Sequence, residues 1–200
     1  MSIRVREKST DLWVYDLLKE ADIQLDPQGS TIKEISEALK TASKRGTGNI
    51  GDPEYTGVVK DFLIVIENKV SVSNHELRTE DDLISEETTA ICDYAVNGAL
   101  FYGKHLANNT SYKKILAIGV SGNEKRHRIT PIFVDERQNY KELPETEGFI
   151  LFNEDNIDEY LVLSQEIGEA KLVLMNLSKV NSLTSCNSIS SSISSKYLAS

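Results

Sequence analysis

One stretch of nine residues, Asp61 to Lys69, constrains the fold of this chain more than any other part of its sequence. It reads Asp-Phe-Leu-Ile-Val-Ile-Glu-Asn-Lys. An apolar, β-branched run of this length is typical of a strand and too short for an ordinary helix. A second predicted strand, about Glu54 to Val59, precedes it across a short turn. The two runs predict a β-hairpin, which is centred on Lys60 and Asp61 if its arms are symmetric.

A symmetric hairpin brings polar residues together at its open end. It sets Glu54 opposite Glu67 and Asp52 opposite Lys69, and directly opposed residues share a face with their Cβ atoms roughly 5 Å apart. Glu67 and Lys69 also share a face, because side chains two residues apart in a strand point the same way. The pattern predicts two or three carboxylates and one lysine in a single cluster.

Such a cluster suits a divalent cation. Crowded carboxylates repel each other, and Mg²⁺ takes oxygen ligands, typically one or two carboxylates with waters and phosphate oxygens. A cation held beside a lysine can activate water and stabilise charge that develops on a phosphate. The residues alone also allow an ordinary surface hairpin on which Glu67 and Lys69 are solvated neighbours, and both interpretations stay open at this point.

The same residues resemble the signature of the PD-(D/E)xK nuclease superfamily. Asp52-Pro53-Glu54 is similar to its first motif, and Ile64 to Lys69, ending in Glu-Asn-Lys, is similar to its second. From about Thr31 to Gly122 the chain also resembles the N-terminal nuclease domain of bifunctional restriction-modification enzymes (type IIG, or type I R-subunit-like), which carry an N6-adenine methylase downstream. The segments that carry this likeness are Ala42-Ser43-Lys44, Gly48 to Gly51, Pro53-Glu54-Tyr55, the Glu-Asn-Lys strand, His75, Tyr94 to Tyr102 and Val120 to Gly122.

The resemblance implies an α/β fold with a restriction-endonuclease-like αβββαβ core, a mixed sheet flanked by helices. It implies that Glu54, Glu67 and Lys69 are catalytic, and that Glu54 and Glu67 hold Mg²⁺ or Mn²⁺. The carbonyl of Asn68 is a further candidate ligand. The chain departs from the superfamily at position 54, where glutamate replaces the usual aspartate and its longer side chain carries the carboxylate further from the backbone.

The rest of the sequence predicts the order helix, hairpin, helix, strand. A capping-box pattern at Thr31 and Glu34 begins a helix that runs to about Ser43. An apolar run from Tyr112 to Ser121 is typical of a strand buried on both faces, and a helix between two such strands predicts a right-handed βαβ crossover. The other predicted helices lie at about 11–21, 85–106, 155–163 and 166–180. The other predicted strands are an edge strand at 129–134 and a strand at 149–152.

The predicted domain organisation is a nuclease domain at residues 1–177, with its core at about 31–134, followed by a serine-rich segment at 178–200. The low charge and high serine content of that segment favour a mobile tail or a linker. The third strand of the core is not placed by the sequence and involves either the Asp61 region or residues near Val70. The interval 22–30, with Pro27 and Gly29, is predicted to be a loop.

Three residues are secondary site candidates. Asp52 faces Lys69 in the predicted hairpin. Glu34 flanks the apolar side of its helix, and in related nucleases a helix before the hairpin often supplies a further acid, although a capping role is the simpler explanation. His75 follows the lysine and recurs in the family that the chain resembles, so phosphate contact or proton transfer stands beside a purely structural role.

The charge distribution restricts the classes of DNA-binding protein. A formal net charge of −9 argues against a protein that simply coats DNA, because phosphate contacts need Lys and Arg. It does not argue against a nuclease, whose metal site is acidic. The candidates for DNA contact lie in two local basic groups, each of which could equally be a solvated face. They are Lys44 and Arg45 before the hairpin, and Lys125, Arg126 and Arg128 after the buried strand.

Other features concern compartment and partners. No apolar run approaches the roughly 20 residues of a membrane span, and the N-terminus lacks the apolar core of a signal peptide. Cys92 and Cys186 have neither metal-site spacing nor the pattern of a disulfide framework. We therefore expect a cytoplasmic protein. The sequence contains neither a Walker phosphate loop nor an Asn-Pro-Pro-Tyr methylase motif, so methylase or specificity domains are expected as partners outside it.

Together these features predict a Mg²⁺-dependent endonuclease domain of a restriction-modification system that hydrolyses phosphodiester bonds of double-stranded DNA. A homodimer would supply the two active sites that double-strand cleavage commonly needs. The first alternative is a catalytically weak or inactive nuclease-fold module that binds DNA or partner subunits. The second is a structural protein with an ordinary hairpin, which side chains of Glu54 and Glu67 on opposite sides of the sheet would favour.

Overall fold

The computed structural model describes residues 3–46 and 51–164, with side chains from Ser9 onward. The chain forms two compact units, Met1–Ile157 and Asp158–Ser200, and the second is described only at residues 158–164, which are helical. The predicted helix at 166–180, the predicted domain end at 177 and the predicted tail at 178–200 lie outside the described residues. Within the described part, no helix is long and apolar enough to cross a membrane.

The described strands form one mixed sheet in the order in which they occur along the chain. They are β1 (Asp26–Pro27), β2 (Tyr55–Val59), β3 (Phe62–Lys69), β4 (Lys114–Asn123), β5 (Arg126–Asp135) and β6 (Tyr140–Glu142). Strands β3 and β4 are parallel, and the other neighbouring pairs are antiparallel. Helices connect β3 to β4, so the predicted βαβ arrangement is confirmed.

The α-helices described in the first unit are α1 (Ile3–Glu20), α2 (Lys33–Leu39), α3 (Thr88–Asp93) and α4 (Ala95–Asn109). Helix α1 begins eight residues before the predicted start at residue 11. The predicted helix at 85–106 is two helices, because the extended backbone of Tyr94 (φ −120°, ψ 141°) separates α3 from α4. Helix α2 ends at Leu39, short of the predicted end near Ser43.

Helices cover both faces of the sheet. Helices α2 and α4 share one apolar cluster with alternate residues of β3 and β4, such as Leu63 and Ala117. The approach of α4 to β4 is very close, since a Cβ at Gly119 would lie 2.6 Å from the backbone of Val96. Helix α1 packs against β3 and β4 outside this cluster and buries Val14 and Leu18. The first unit is therefore a layered α/β domain, with a mixed sheet between helices.

The third strand of the core is β1, which lies in the interval predicted to be a loop. It pairs with β2 through Asp26↔Thr56 and Pro27↔Tyr55. Both predicted locations, the Asp61 region and the residues near Val70, are therefore wrong. Two residues that include a proline show no strand period, and only their pairing with β2 makes them a strand.

The predicted capping box does not form. The backbone N–H and the hydroxyl of Thr31 both donate to Asp26 Oδ2, at 2.6 and 2.7 Å. Residue Ile32 takes the N-cap position of α2 without a side-chain bond, and Glu34 binds elsewhere. The carboxylate of Asp26 in β1 is the partner of this threonine, in place of the helix glutamate.

Two strand predictions near the end of the first unit also need correction. The segment at 149–152 forms a 3-10 turn, Ile150–Phe152, rather than a strand. Strand β5 is not an edge strand, because β6 pairs with it through Ile132, Phe133 and Val134.

Candidate active site

The register of the β2–β3 hairpin brings Glu54 and Glu67 together. Tyr55 pairs with Ile66, and the N–H of Glu54 donates to the carbonyl of Ile66 at 3.0 Å. The strand pairing ends at Tyr55 and Ile66, and Glu54, the next residue, forms a bend just outside β2. The predicted pairing of Glu54 with Glu67 is thus not part of the ladder, but the charge of Glu67 raises the pKa of Glu54, so the two acids lie near each other. Glu67 faces α4 at the open end of the hairpin, next to Gly98.

Glu67 is the buried centre of this cluster, with 3% of its surface exposed. Its Oε1 accepts hydrogen bonds from Lys44 Nζ at 2.5 Å and from Lys69 Nζ at 2.9 Å. Its Oε2 is buried and has no hydrogen-bond partner among the residues that the structure describes. A Cβ at Gly98 of α4 would lie 3.0 Å from Glu67 Cγ, so the helix covers this carboxylate closely. A buried carboxylate oxygen without a donor is an unusual feature that a bound cation would explain.

Glu54 has a different environment from Glu67. Burial, and then the charges of Asp11 and Glu67, raise the pKa of Glu54 to about 7, against the opposite effect of Lys69 and Lys44. The group therefore carries a proton for part of the time near neutral pH. Crowding of negative charge of this kind is what a divalent cation relieves.

Asp11 is an acidic residue near Glu54 that the sequence analysis did not select. It lies in α1, its Oδ1 accepts a bond of 3.4 Å from Asn68 Nδ2, and its carbonyl accepts one of 2.8 Å from the hydroxyl of Tyr55. Its charge raises the pKa of Glu54. The signal that could have found it is the expectation of an acid from a helix before the hairpin, which we assigned to Glu34 on α2.

Asn68 was predicted to supply a carbonyl ligand. It is buried, and its side chain points toward Asp11, because neighbouring residues of a strand alternate between faces and Glu67 faces α4. This orientation leaves the main-chain carbonyl of Asn68 as the candidate ligand beside Glu67.

Lys44, predicted to contact DNA, lies within the acidic cluster. Besides its bond to Glu67, its Nζ lies 4.8 Å from the ring centroid of Tyr102. The Tyr102 hydroxyl donates to the carbonyl of Gly51 at 2.7 Å, and the Gly51 N–H donates to Ala42 at 3.3 Å. The sequence analysis did not predict this contact between Lys44 and the site, because it depends on packing between α4 and a loop far away in sequence.

Two secondary candidates occupy other positions. The carboxylate of Glu34 accepts bonds from the N–H and the hydroxyl of Ser111, at 2.5 and 3.2 Å. Ser111 precedes the start of β4 at Lys114, whereas Glu67 pairs with Gly119, five residues or about 16 Å further along that strand. The structure thus does not bring Glu34 to the cluster. Asp52 is exposed, and its negative charge is one of those that raise the pKa of Tyr102. It therefore lies at the margin of the site.

His75 is a buried structural residue, with 1% of its surface exposed. Its Nδ1 lies 2.8 Å from the hydroxyl of Ser121, and its Nε2 lies 2.7 Å from the hydroxyl of Thr130. Burial and the nearby Arg128 lower the pKa of His75 to about 4. The imidazole is therefore neutral at physiological pH, and both of its nitrogens contact hydroxyl groups of β4 and β5. A neutral ring with both nitrogens engaged is poorly suited to contact a phosphate.

The remaining DNA-contact candidates differ in availability. Arg45 is exposed, as are Lys125 and Arg126 at the β4–β5 turn. Arg128 instead donates to Glu76 Oε1 at 2.9 Å and to Glu145 Oε1 at 2.5 Å. Its guanidinium is thus committed to neighbouring carboxylates.

The donor set fits a cation with few protein ligands. Among the residues that the structure describes, no group of three or more His, Cys, Asp or Glu side chains lies close enough to hold a metal ion. Two carboxylates and one carbonyl nevertheless suffice for Mg²⁺, which retains waters and takes phosphate oxygens. The unpartnered Glu67 Oε2 and the raised pKa of Glu54 are the observations that fit such an ion.

The fold and the site define a mixed α/β domain with paired glutamates and lysines at one end of two parallel strands. In sequence, the chain is 34% identical over 182 residues to the type II restriction enzyme and methyltransferase RM.BcgI of Heyndrickxia coagulans. The match covers 90% of this chain and 28% of that relative, so the chain spans less than a third of its length. No family model and no solved structure matches the chain.

Proposed function

We propose that this chain is the endonuclease module of a restriction-modification system and that it hydrolyses phosphodiester bonds of double-stranded DNA with Mg²⁺ or Mn²⁺. The observation that supports the proposal most is the ion pair of Glu67 with Lys69, beside a Glu54 whose pKa responds to both charges. In addition, one buried oxygen of Glu67 has no hydrogen-bond partner among the described residues. The similarity to a restriction enzyme and methyltransferase supports the class of reaction. We also propose that the fold is of the PD-(D/E)xK type, with β1, β2 and β3 as its meander.

In this proposal Glu54, Glu67 and the main-chain carbonyl of Asn68 would hold the cation. A divalent ion at that position supplies a lowered pKa for a bound water and charge stabilisation at phosphorus. Lys69 keeps its ammonium beside Glu67 Oε1, where it can orient the attacking water or neutralise the phosphate. Burial of Glu67 keeps bulk water from its carboxylate, which strengthens every charge interaction at the site.

The test is cleavage of supercoiled plasmid DNA by the full chain with Mg²⁺. We expect Glu67→Gln and Lys69→Met each to lower the rate by on the order of 10²–10³-fold, because each removes a preorganised charge at the reacting phosphate. Glu37→Gln is the matched control, since Glu37 is exposed on α2 and pairs only with Lys40 among its recorded contacts. Unchanged cleavage by both site variants would remove these residues from the chemistry.

The second candidate is a docking module of the same fold that binds DNA or partner subunits with little or no catalysis. Two observations favour this docking module. Among the described residues, no three metal-binding side chains form one group, and position 54 is glutamate where the superfamily usually has aspartate. DNA binding without cleavage in either Mg²⁺ or Mn²⁺ by the unmodified chain would select this candidate.

We further propose that this chain acts with methylase and specificity domains. The relative is named as both a restriction enzyme and a methyltransferase, and this chain matches only 28% of it. Recognition of a target sequence would then come from such partners. Cutting both strands of a duplex commonly uses two active sites, which a homodimer would supply.

A further inference from the structure

Two ammonium groups converge on a single carboxylate oxygen in the cluster. Lys44 Nζ and Lys69 Nζ lie 2.5 and 2.9 Å from Glu67 Oε1. One cation is enough to neutralise one carboxylate. The second lysine is therefore more than Glu67 alone requires, and it lies next to the position where the proposed function puts a phosphate.

Lys44 is held in place more firmly than an ordinary surface lysine. Its side chain is 16% exposed and its ammonium lies over the ring of Tyr102, a residue that is fully buried. Tyr102 also donates to Gly51, and Gly51 donates to Ala42, so these two residues on either side of Lys44 are linked to each other and to α4. A lysine with its rotamers fixed in this way loses little entropy when it binds an anion.

A lysine elsewhere in the same segment shows the contrast. Lys40 has a side chain that is 59% exposed and pairs with Glu37, three residues before it. Among the residues that the structure describes, no aromatic ring lies against its ammonium group. Lys40 therefore serves as a built-in comparison for any effect of removing a positive charge near the end of α2.

We propose that Lys44 is a phosphate-binding residue of the active site, one that contacts a non-bridging oxygen of the DNA phosphodiester next to Lys69. The inference rests on the proposed function for the identity of its ligand, a DNA phosphate. An ammonium group has three donors, and Lys44 shares one with Glu67 and turns its charge toward the Tyr102 ring. The remaining donor capacity suits a phosphate oxygen, for which lysine acts as a point charge.

This assignment predicts that Glu67 competes with DNA for Lys44 when no metal is present. In the full chain in EDTA, Glu67→Gln should bind duplex DNA several-fold more tightly than the unmodified chain, because the lysines lose their carboxylate partner. Adding Lys44→Met should cancel that gain and reduce the slope of log K against log salt by about 0.9, the value for one phosphate contact. Adding Lys44→Arg should keep most of the gain, and adding Lys40→Met should leave affinity and slope unchanged.

Several results would overturn the inference. The first is that Glu67→Gln binds DNA with the same affinity and the same salt slope with and without Lys44→Met. The second is that Glu67→Gln binds DNA no more tightly than the unmodified chain. The third is that none of these chains binds DNA. A lysine with a purely structural role would lower the thermal midpoint when replaced by Met and leave the salt slope unchanged. The binding experiment contains no metal, whereas the cleavage assay does. Failure to cleave DNA would therefore refute the proposed function without changing the result of the binding experiment.

Discussion

Glu54 and Glu67 are neighbouring acids near the open end of one hairpin, and their electrostatic environments differ. Glu67 has two lysines on one oxygen, whereas burial and the charges of Asp11 and Glu67 raise the pKa of Glu54 to about 7. A cation between them would displace the proton of Glu54. Divalent-ion affinity at this site should therefore increase as the pH rises through 7.

The raised pKa of Glu54 also gives a pH dependence of stability without metal. The folded chain holds a proton on Glu54 up to about pH 7, whereas the unfolded chain releases it near 4.5, so the free energy of unfolding falls between those values. The full shift corresponds to about 3 kcal/mol, and partial solvation reduces the expected loss to about 1–2 kcal/mol. Urea unfolding in EDTA from pH 5 to 8 measures it, with Glu54→Gln expected to remove this part of the loss. An unchanged pH dependence in that variant would show that Glu54 titrates normally.

Sequence reasoning reached some residues of the site and missed others for physical reasons. The contact of Glu67 with Lys69 was predictable because residues two apart in a strand share a face. Asp11 and the site position of Lys44 depend on how α1 and α4 pack against the sheet, which no local pattern encodes.

At the scale of elements, the strongly patterned parts were predictable and the short ones were not. Strands β3 and β4 are long apolar runs, and the β2–β3 register follows from a two-residue connection. Strand β1 has only Asp26 and Pro27, and its strand character comes entirely from pairing with β2. The break at Tyr94 between α3 and α4 was also hidden, because the apolar spacing continues across it.

The seating of α4 on the sheet gives an element-scale prediction. A Cβ at Gly119 would lie 2.6 Å from the backbone N and Cα of Val96, so Gly119→Ala must push the start of α4 away from β4. We expect a loss of about 1–3 kcal/mol in the free energy of unfolding, measured by urea denaturation. Gly148→Ala is the control, because a Cβ there meets no atom within 4 Å, and its change should stay within about 0.5 kcal/mol. Equal stabilities of the two variants would contradict the close packing of α4 on the sheet.

At the scale of the whole molecule, the chain is acidic and related to part of a larger enzyme. A net charge of −9 repels DNA overall, so contact must come from local groups such as Lys125 and Arg126 at the β4–β5 turn. The chain matches 28% of the restriction enzyme and methyltransferase that it resembles. For the proposed function, both facts are consistent with a module whose DNA is positioned by other domains.

The most direct measurement of the central claim is calorimetric titration of Mn²⁺ into the full chain, above the raised pKa of Glu54. We expect one divalent-ion site per chain that Glu54→Gln weakens and Glu67→Gln abolishes, because these carboxylates supply the charged ligands. Glu34→Gln should retain the site, since Glu34 binds Ser111 at the other end of β4. Equal Mn²⁺ affinities in all three variants and the unmodified chain would contradict a metal site at Glu54 and Glu67.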